Sequence, residues 1–407
     1  MRALLALLFV TLLGCGAAAQ SVQDILTRHL YDGTSQKGAA ELAALSASTQ
    51  DAGIKDEAKA AEGILTFIGG IERLGQSLYR YGLEPQRDFM FVRLPILRFP
   101  VPHNPKPETL DYEGFRAIAV TLVNDLDKAE SALALAGDRP LKFKIEPMRV
   151  VLDINGDGKA QAEESLAKII EGASGIALPA NLQIGFDNAD IYWLRGYGRL
   201  ISASAQFGLA FDFADLFNNT FHLFFPRSGL ATGEGLKTAG AQITSGDGAI
   251  ADIIAFIHLI NAPIKEPERL ADVRTRLKAI VAMSLQSWTS ARAETDNDGE
   301  WLPNARQTSA FVQLPVTEDE IDNWIAVMQE VDQILDGKKL LGHWRFAKGI
   351  NVRRFFESAK SFDLVMLVTG AAALPFLENG PLVDMRSWTE LTGPFGANFM
   401  NYGVWFN

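Results

Sequence analysis

The side chains best suited to chemistry lie in one short segment in which oxygen-bearing residues recur at every second position. Asp153, Asn155 and Asp157 are followed by Gly158 and, six residues after that, by Glu164. This spacing matches the calcium-loop template at positions 1, 3, 5, 6 and 12. Calcium is a hard cation that takes six to eight oxygen ligands, and a sharp turn at a glycine in position 6 lets these side chains converge. The sequence therefore predicts a Ca²⁺ site.

The predicted ligands all offer oxygen atoms and occupy positions 1, 3, 5, 7, 9 and 12 of the loop: Asp153, Asn155, Asp157, Lys159, Gln161 and Glu164. Lys159 contributes only its backbone carbonyl, so its ammonium group is expected to point outward. Gln161 binds directly or through water, and Glu164 closes the site with both carboxylate oxygens. The alternative is a polar turn without metal, because Asn, Asp and Gly form turns for reasons unrelated to metal binding.

The segment 153–164 resembles an EF-hand calcium loop, and its first seven residues resemble the loops of dockerin modules. Only this dozen of the 407 residues carries the likeness. An EF-hand has a helix on each side of the loop and usually a partner hand. No full second copy of the loop is found, and position 8 is Ala160 instead of the larger apolar residue that pairs two hands. The resemblance therefore implies a static structural clamp in place of a calmodulin-like switch.

The residues that flank the loop predict different structures on its two sides. Residues 142–152 contain Pro147 and several β-branched residues, so they are expected to form an extended arm. Residues 163–170 are expected to form a helix with Glu164 in its first turn. The predicted unit is an extended arm, a loop and a helix.

A weaker copy of the motif occupies residues 294–304. Glu294, Asp296 and Asp298 stand at positions 1, 3 and 5 with a glycine at position 6, but position 12 is Ala305, so a local closing carboxylate is missing. Two interpretations remain open. The segment is either a second ion site or an acidic loop that ends the preceding helix.

No catalytic motif of comparable strength accompanies the calcium loop. The five histidines lack zinc-site spacing, and no nucleophile elbow, phosphate loop or dinucleotide fingerprint is found in a fitting context. The alternative function is an exported carboxylate-pair hydrolase that acts on a glycan and uses calcium as a brace. It would require an open cleft near Asp187, Asp190 or Asp296. The simpler interpretation is that Asp187 and Asp190 stabilise a helix N-terminus and that Asp190 pairs with a nearby arginine.

Helical periodicity dominates the rest of the chain. Helices are predicted at about 55–81, 111–136, 187–207, 247–261, 267–293, 317–336, 351–360 and 362–377. The aromatic stretches at 211–225 and 343–346 are predicted to belong to the core. The predicted fold class is therefore mainly α, a multi-helix globular bundle with a short extended arm before the calcium-type loop. Residues 20–407 are assigned to a single helical domain, with two lobes as the alternative.

The first 19 residues predict a secretory signal peptide. Arg2 precedes an apolar run at 3–13 that is too short to cross a bilayer, and Ala17–Ala19 offer small residues for cleavage. The alternative is a lipobox that leaves a lipid-anchored Cys15. The mature chain is expected to be periplasmic or secreted, without a transmembrane span, because the apolar stretch Leu364–Leu377 is also too short.

The composition excludes several classes of protein. With 48% hydrophobic residues the chain can build a large core, which excludes disorder. It has 38 Lys and Arg against 49 Asp and Glu, a net charge of −11, which argues against a nucleic-acid partner. The calcium ion is therefore the predicted partner, and a protein partner remains unknown.

Overall fold

The structure, a computed structural model, describes most of the chain. It covers residues 21–84, 99–174, 177–226, 229–230, 245–309, 316–384, 388–389, 392–393 and 406. The predicted signal peptide and Cys15 lie outside the described residues. Every structural statement below refers to the described part.

The described residues are mainly helical, which confirms the predicted fold class. Their α-helices, α1 to α12 in chain order, are Val22–Tyr31, Ser35–Ser48, Ala52–Arg80, Tyr112–Leu133, Leu166–Ser174, Asn188–Ala210, Ala214–Thr220, Ser245–Leu259, Pro267–Ala293, Glu318–Leu335, Val352–Ser358 and Leu364–Thr369. The predicted helix starts at Asp187 and Thr317 are confirmed, because each residue caps its helix and forms a capping box. None of the described helices combines the length and the apolar composition that a membrane span requires.

The longer helices pack in succession around one core. α3 contacts α2 and α4, α4 contacts α6, α6 contacts α9, and α9 contacts α10. The contact between α6 and α9 is the most extensive of these. It brings the N-terminus of α6 close to the C-terminus of α9, and this end of the pair carries several of the acidic residues described below.

The strands are short and form three small antiparallel sheets. They are β1 to β7 in chain order: Lys142–Ile145, Ile184–Asp187, Asn261–Pro263, Leu341–His343, Phe346–Ile350, Ser361–Asp363 and Leu377–Glu378. β1 pairs with β2, β3 pairs with β6, and β5 lies between β4 and β7. In the first sheet Lys142 pairs with Asp187, which places a lysine beside the start of α6.

One predicted helix is wrong. The sequence predicts a continuous buried helix over Leu364–Leu377, but α12 ends before Gly370, which has a φ of +107°, and a 3-10 turn, Ala371–Phe376, follows. Leu364 is 40% exposed and Val368 is 59% exposed. The apolar run therefore forms two short pieces, because a glycine in the left-handed region ends the first helix. The first piece is largely exposed, whereas the second buries Ala373 and Phe376.

The aromatic stretches differ in their burial. Phe211, Phe217 and Phe225 are buried and contribute to the core, as predicted. Trp344 is 77% exposed, so the prediction that residues 343–346 belong to the core is wrong for that side chain. Trp344 lies at the turn between β4 and β5. Its indole N–H donates to the carbonyl of Val368, which satisfies the polar edge of the ring at the surface.

Candidate calcium site and a buried acidic cluster

A short antiparallel pairing holds the two ends of the predicted calcium loop together. The amide of Leu152 donates to the carbonyl of Glu164 at 3.0 Å, and the amide of Leu166 donates to the carbonyl of Val150 at 2.9 Å. Val150 and Leu152 are buried. The predicted extended arm over 142–152 is confirmed only in part, because a 3-10 turn, Pro147–Arg149, separates β1 from this pairing. The pairing places Asp153, at the start of the loop, next to Glu164 at its end.

The helix after the loop starts later than the sequence predicts. Residues Ala162–Glu164 form a 3-10 turn, and α5 begins at Leu166. The prediction that Glu164 lies in the first turn of this helix is therefore wrong. Because Glu164 belongs to the pairing at the end of the loop, its backbone cannot continue into α5.

The side chains at positions 1, 3 and 5 accept hydrogen bonds from the backbone of the loop itself. Asp153 accepts from the amides of Asp157 at 3.0 Å and Gly158 at 2.9 Å, one on each carboxylate oxygen. Asn155 Oδ1 accepts from the amide of Asp157 at 2.8 Å, and Asp157 Oδ1 accepts from the amide of Lys159 at 2.8 Å. These bonds tie the three oxygen-bearing side chains to the backbone amides of the loop. Gly158 has a φ of +82°, as position 6 requires.

Glu164 reaches across the loop with both of its oxygens. Oε1 accepts from the amide of Asn155 at 2.9 Å and Oε2 accepts from the amide of Gln161 at 3.2 Å. The residue is only 2% exposed. Burial raises the pKa of its carboxyl group, and the nearby charges of Asp153 and Asp157 raise it further. A second lone pair on each oxygen remains available to a cation.

The loop rests on helix α3 through a residue that sequence reasoning did not select. Glu72 is 6% exposed and its Oε2 accepts from the amide of Asp153 at 3.1 Å. Gln76 donates to the carbonyl of Asp153 at 2.8 Å. Ile154 is fully buried against Gly75, where an added Cβ would lie 3.1 Å from the isoleucine side chain. Burial raises the pKa of Glu72 to about 7.

The carboxylates of this region lack a direct ion pair, although the charge of Arg73, which pairs with Asp125 at 2.8 Å, acts to lower the pKa of Glu72. Glu72, Asp153, Asp157 and Glu164 form no ion pair with any Lys or Arg in the described ranges. The side chain of Lys159 is exposed, as predicted. The charges of Asp153 and Glu164 both act to raise the pKa of Glu72, which indicates that the carboxylates repel one another. Gathering like charges without a counter-ion is unfavourable unless protons or a cation neutralise them.

Position 8 of the loop packs on another part of the same chain. Gly33, in the turn between α1 and α2, has a φ of +62°, and an added Cβ there would lie 2.4 Å from Cβ of Ala160. The small residue at this position therefore fits a close approach to the α1–α2 turn. A larger apolar residue, of the kind that pairs two hands, would not fit without displacing that turn.

A second group of acidic residues, here called the buried acidic cluster, consists of Asp187, Asp190, Glu294 and Glu300. Asp187 ends β2 and caps α6, accepting from the amide of Ala189 at 2.9 Å, and Asp190 accepts from the amide of Asp187 at 3.2 Å. Glu294 immediately follows α9, and Glu300 follows in the same loop. The tight packing of α6 on α9 thus brings together residues that are more than 100 positions apart.

The carboxyl groups of the buried acidic cluster interact directly. Asp187, Glu294 and Glu300 each have a carboxylate oxygen within 4.8 Å of one on the other two residues. Burial raises the pKa of Glu294 to about 8 and that of Glu300 to about 7, and neighbouring carboxylates add to the shift. Burial also raises the pKa of Asp187 and, well above its usual range, that of Asp190. The ionised carboxylates of this cluster therefore repel one another, which favours the binding of a proton or a cation.

The weaker copy of the calcium motif contributes to this region from its outer side. Lys142, on β1, forms ion pairs with Asp296 and with Asp298, the latter at 2.7 Å, and its Nζ lies 4.0 Å from Glu300. The segment is thus an acidic loop that follows α9, in agreement with one of the two interpretations. A second ion site in this segment stays a prediction.

Two sets of carboxylates within the described residues have ligand atoms that all lie within 4.8 Å of one another. They are Asp187 with Glu294 and Glu300, and Asp296 with Asp298 and Glu300. Neither set includes a histidine or a residue of the 153–164 loop. The structure therefore brings acidic residues together at a place where the sequence predicts only a partial motif.

The region offers little support for a glycan hydrolase. Asp190 is 1% exposed and Asp187 is 7% exposed, so a sugar ring has no access to either carboxylate. Two surface depressions, one around Glu330 and Trp388 and one around Arg28, do not include these aspartates or Asp296.

The predicted arginine partner of Asp190 is engaged elsewhere. Arg195 pairs with Glu130 at 2.9 Å, and Arg199 pairs with Asp127 at 3.1 Å. Asp190 forms no ion pair within the described ranges, so the prediction of an Asp190–arginine pair is wrong. Asp190 does stabilise the N-terminus of α6 as predicted, by accepting from the amide of Asp187.

Sequence reasoning missed Glu72 and Lys142, of which only Glu72 leaves a signal in the sequence. Glu72 lies four residues after Ile68 and seven after Leu65, on a helix face that is otherwise apolar. An acid on such a face indicates a buried polar contact. Lys142 carries no comparable signal, because its partners lie more than 150 positions away in the chain.

Comparison with known proteins gave no relative: no family model, no curated protein and no solved structure matches this chain. The chemistry of the two groups of carboxylates is accordingly inferred from their own geometry.

Proposed function

We propose that the protein is an exported, calcium-binding helical protein in which Ca²⁺ bound by residues 153–164 braces the local structure. Side-chain oxygens of Asp153, Asn155 and Asp157 and both oxygens of Glu164 would hold the ion. The backbone carbonyl of Lys159 and the side chain of Gln161 would complete the oxygen shell. No step of a reaction is assigned to these residues.

One observation carries the proposal: the loop is already folded, and its carboxylates form no ion pair with a basic side chain in the described ranges. Asp153 and Glu164 each accept backbone amides on both oxygens, so the loop is already closed around its acidic side chains. These residues, together with Asp157 and the adjacent Glu72, have no ion pair with a basic side chain in the described ranges. A divalent cation supplies the missing charge at the centre of a preformed turn.

The effect of the ion follows from what the loop contacts. Asp153 is bonded to Glu72 and Gln76 on α3, and Glu164 is bonded to the arm that leads from β1. Calcium would therefore tie α3, the extended arm and the start of α5 to one point. Such an ion stabilises the native state by binding it in preference to the unfolded chain.

Export is part of the proposal because it determines how much calcium the protein meets. Residues 1–19 have the pattern of a secretory signal peptide. Extracellular calcium modules have Kd values of about 10⁻⁴ to 10⁻³ M. A single loop without a partner hand is adequate at such concentrations.

Thermal unfolding with and without calcium tests the proposal. For a Kd of about 10⁻⁴ M, 10 mM Ca²⁺ adds about 2.7 kcal/mol of stability. A chain of 407 residues has an unfolding entropy of about 0.9 kcal/mol/K, so the midpoint temperature should rise by about 3 °C. The double variant Asp153→Ala with Glu164→Ala should lose this rise.

Glu163→Gln is the matched control, because Glu163 is exposed, carries the same charge and lies next to Glu164. This variant should respond to calcium as the unmodified protein does. A melting curve that does not change across millimolar calcium, or a response that survives the double substitution, contradicts the proposal.

A further inference from the structure

The buried acidic cluster has the spacing of a cation site that is separate from the 153–164 loop. One oxygen from each of Asp187, Glu294 and Glu300 can be chosen so that all three lie within 4.8 Å of one another. Calcium holds its oxygen ligands at 2.3 to 2.6 Å, so oxygens that share one ion are at most about 5 Å apart. The separations of these three oxygens are therefore compatible with one shared ion.

Lys142 offsets only part of the negative charge in the cluster. Lys142 is the only basic side chain of the described residues in ion-pair distance of this region, and its closest contacts are Asp296 and Asp298. Its Nζ is 4.0 Å from Glu300. Asp187, Asp190 and Glu294 have no ion pair in the described ranges. Buried carboxylates in this state are costly unless they are protonated or bound to a cation.

An unpartnered oxygen lies at the same place. Asp190 is 1% exposed, and its Oδ1 has no hydrogen-bond partner, while Oδ2 accepts from the amide of Asp187. Asp190 is bonded to the backbone of Asp187, a member of the three-carboxylate set, so its unpartnered oxygen lies beside that set. A buried acceptor without a donor loses the hydration of the unfolded state and gains nothing in return. A bound cation would supply the missing partner directly or through a coordinated water.

We propose that Asp187, Glu294 and Glu300 form a second divalent-cation site, with Asp190 as the adjoining acceptor and Lys142 retained by Asp296 and Asp298. The donors are all oxygens, which selects a hard cation. Calcium fits better than magnesium, because a cluster of carboxylates offers a flexible shell, whereas magnesium demands octahedral geometry and keeps several waters. This site goes beyond the proposed function, since it shares no ligand with the 153–164 loop.

The number of calcium ions bound per chain tests the proposal. Equilibrium dialysis of the full-length mature protein against calcium, followed by metal analysis, should give two ions. The loop variant Asp153→Ala with Glu164→Ala should retain one ion. Adding Glu294→Gln and Glu300→Gln to the loop variant should abolish binding, whereas the two glutamine substitutions alone should leave one ion.

The outcomes separate the two proposals. If the loop variant binds no calcium while the unmodified protein binds one ion, the cluster site is refuted and the loop site stands. If the loop variant and the unmodified protein both bind one ion, and the ion is lost with Glu294→Gln and Glu300→Gln, the loop site is refuted and the cluster site stands.

A further variant is expected to bind calcium more tightly at the cluster, a gain that a folding defect would not produce. Lys142→Met removes the ammonium group that competes for Glu300 and its neighbours, so calcium should bind the cluster about tenfold more tightly. The measurement is made in the loop variant, where only this site remains. Binding that is unchanged or weaker in Lys142→Met overturns the proposal.

Discussion

Replacing Glu72 with glutamine is the most informative single change near the calcium loop. Glu72 is 6% exposed, and burial raises its pKa from the ordinary value of 4.5 to about 7 in the calcium-free protein. The folded state therefore favours the protonated form. The stability associated with this shift is fully present below pH 4.5 and is lost as the pH rises through 7.

The size of the effect follows from the shift. About 2.5 pKa units at 1.36 kcal/mol per unit give about 3 kcal/mol at full ionisation. Glutamine has nearly the same shape and can still accept from the amide of Asp153, but it cannot ionise. In calcium-free buffer Glu72→Gln should exceed the stability of the unmodified protein by about 1 kcal/mol or less at pH 5 and by up to about 3 kcal/mol at pH 8.

Denaturant unfolding with a calcium chelator, at pH values from 5 to 8, measures this difference. Glu57→Gln on the same helix is the matched control, because Glu57 is exposed, and it should show no such trend. Calcium should stabilise Glu72→Gln less than the unmodified protein, since one negative charge beside Asp153 is gone. A Glu72→Gln variant that is less stable than the unmodified protein at pH 8, or whose stability difference does not vary with pH, refutes this reasoning.

Two further changes probe the loop backbone and a distant charge cluster. Gly158→Ala should cost about 1 to 2 kcal/mol in the calcium-bound protein, because alanine resists the φ of +82°, and Gly158→Asn should cost less; thermal melts in saturating calcium compare the two. Asp336 accepts from Lys278 at 2.6 Å and from Lys338 at 3.0 Å, and these bonds lower its pKa to about 2. Its stabilising contribution is present above pH 4 and is lost as the pH falls through 2, so Asp336→Asn should cost about 1 kcal/mol at pH 7, after allowance for its partial exposure, and progressively less below pH 4 in urea melts.

Local sequence rules predict the helices well where the sequence contains both a cap and a regular apolar face. α10 begins after Thr317, whose capping box with Glu320 is visible in the sequence, and α9 has the bounds that its periodicity predicts. The same rules fail at Leu364–Leu377, because hydropathy gives no information on whether Gly370 takes a left-handed conformation. The prediction of burial fails for α12, where Val368 is 59% exposed, but holds for Ala373 and Phe376 in the turn that follows.

The candidate sites show a similar division between local and distant contacts. The loop side chains follow from spacing alone, because Asp153 and Glu164 lie within one short turn of the chain. Glu72 reaches the loop from 81 positions away, and Lys142 lies 154 positions from Asp296, so no spacing rule relates them. The buried acidic cluster arises only because α6 packs on α9 with a particular register, and this register is a property of the folded core.

Both groups of carboxylates gather negative charges close together, but the two groups differ in their access to solvent. In the 153–164 loop Asp157 is exposed and Asp153 is half-buried, so an ion can enter and leave without disturbing the core. In the buried acidic cluster Asp190 and Glu300 are each 1% exposed, and an ion must displace protons and local structure to enter. We therefore expect calcium to exchange rapidly at the loop and slowly at the cluster, since dehydration and local opening limit the second process. Stopped-flow chelation of the calcium-loaded protein should then show two phases, of which only the fast one disappears in the loop variant.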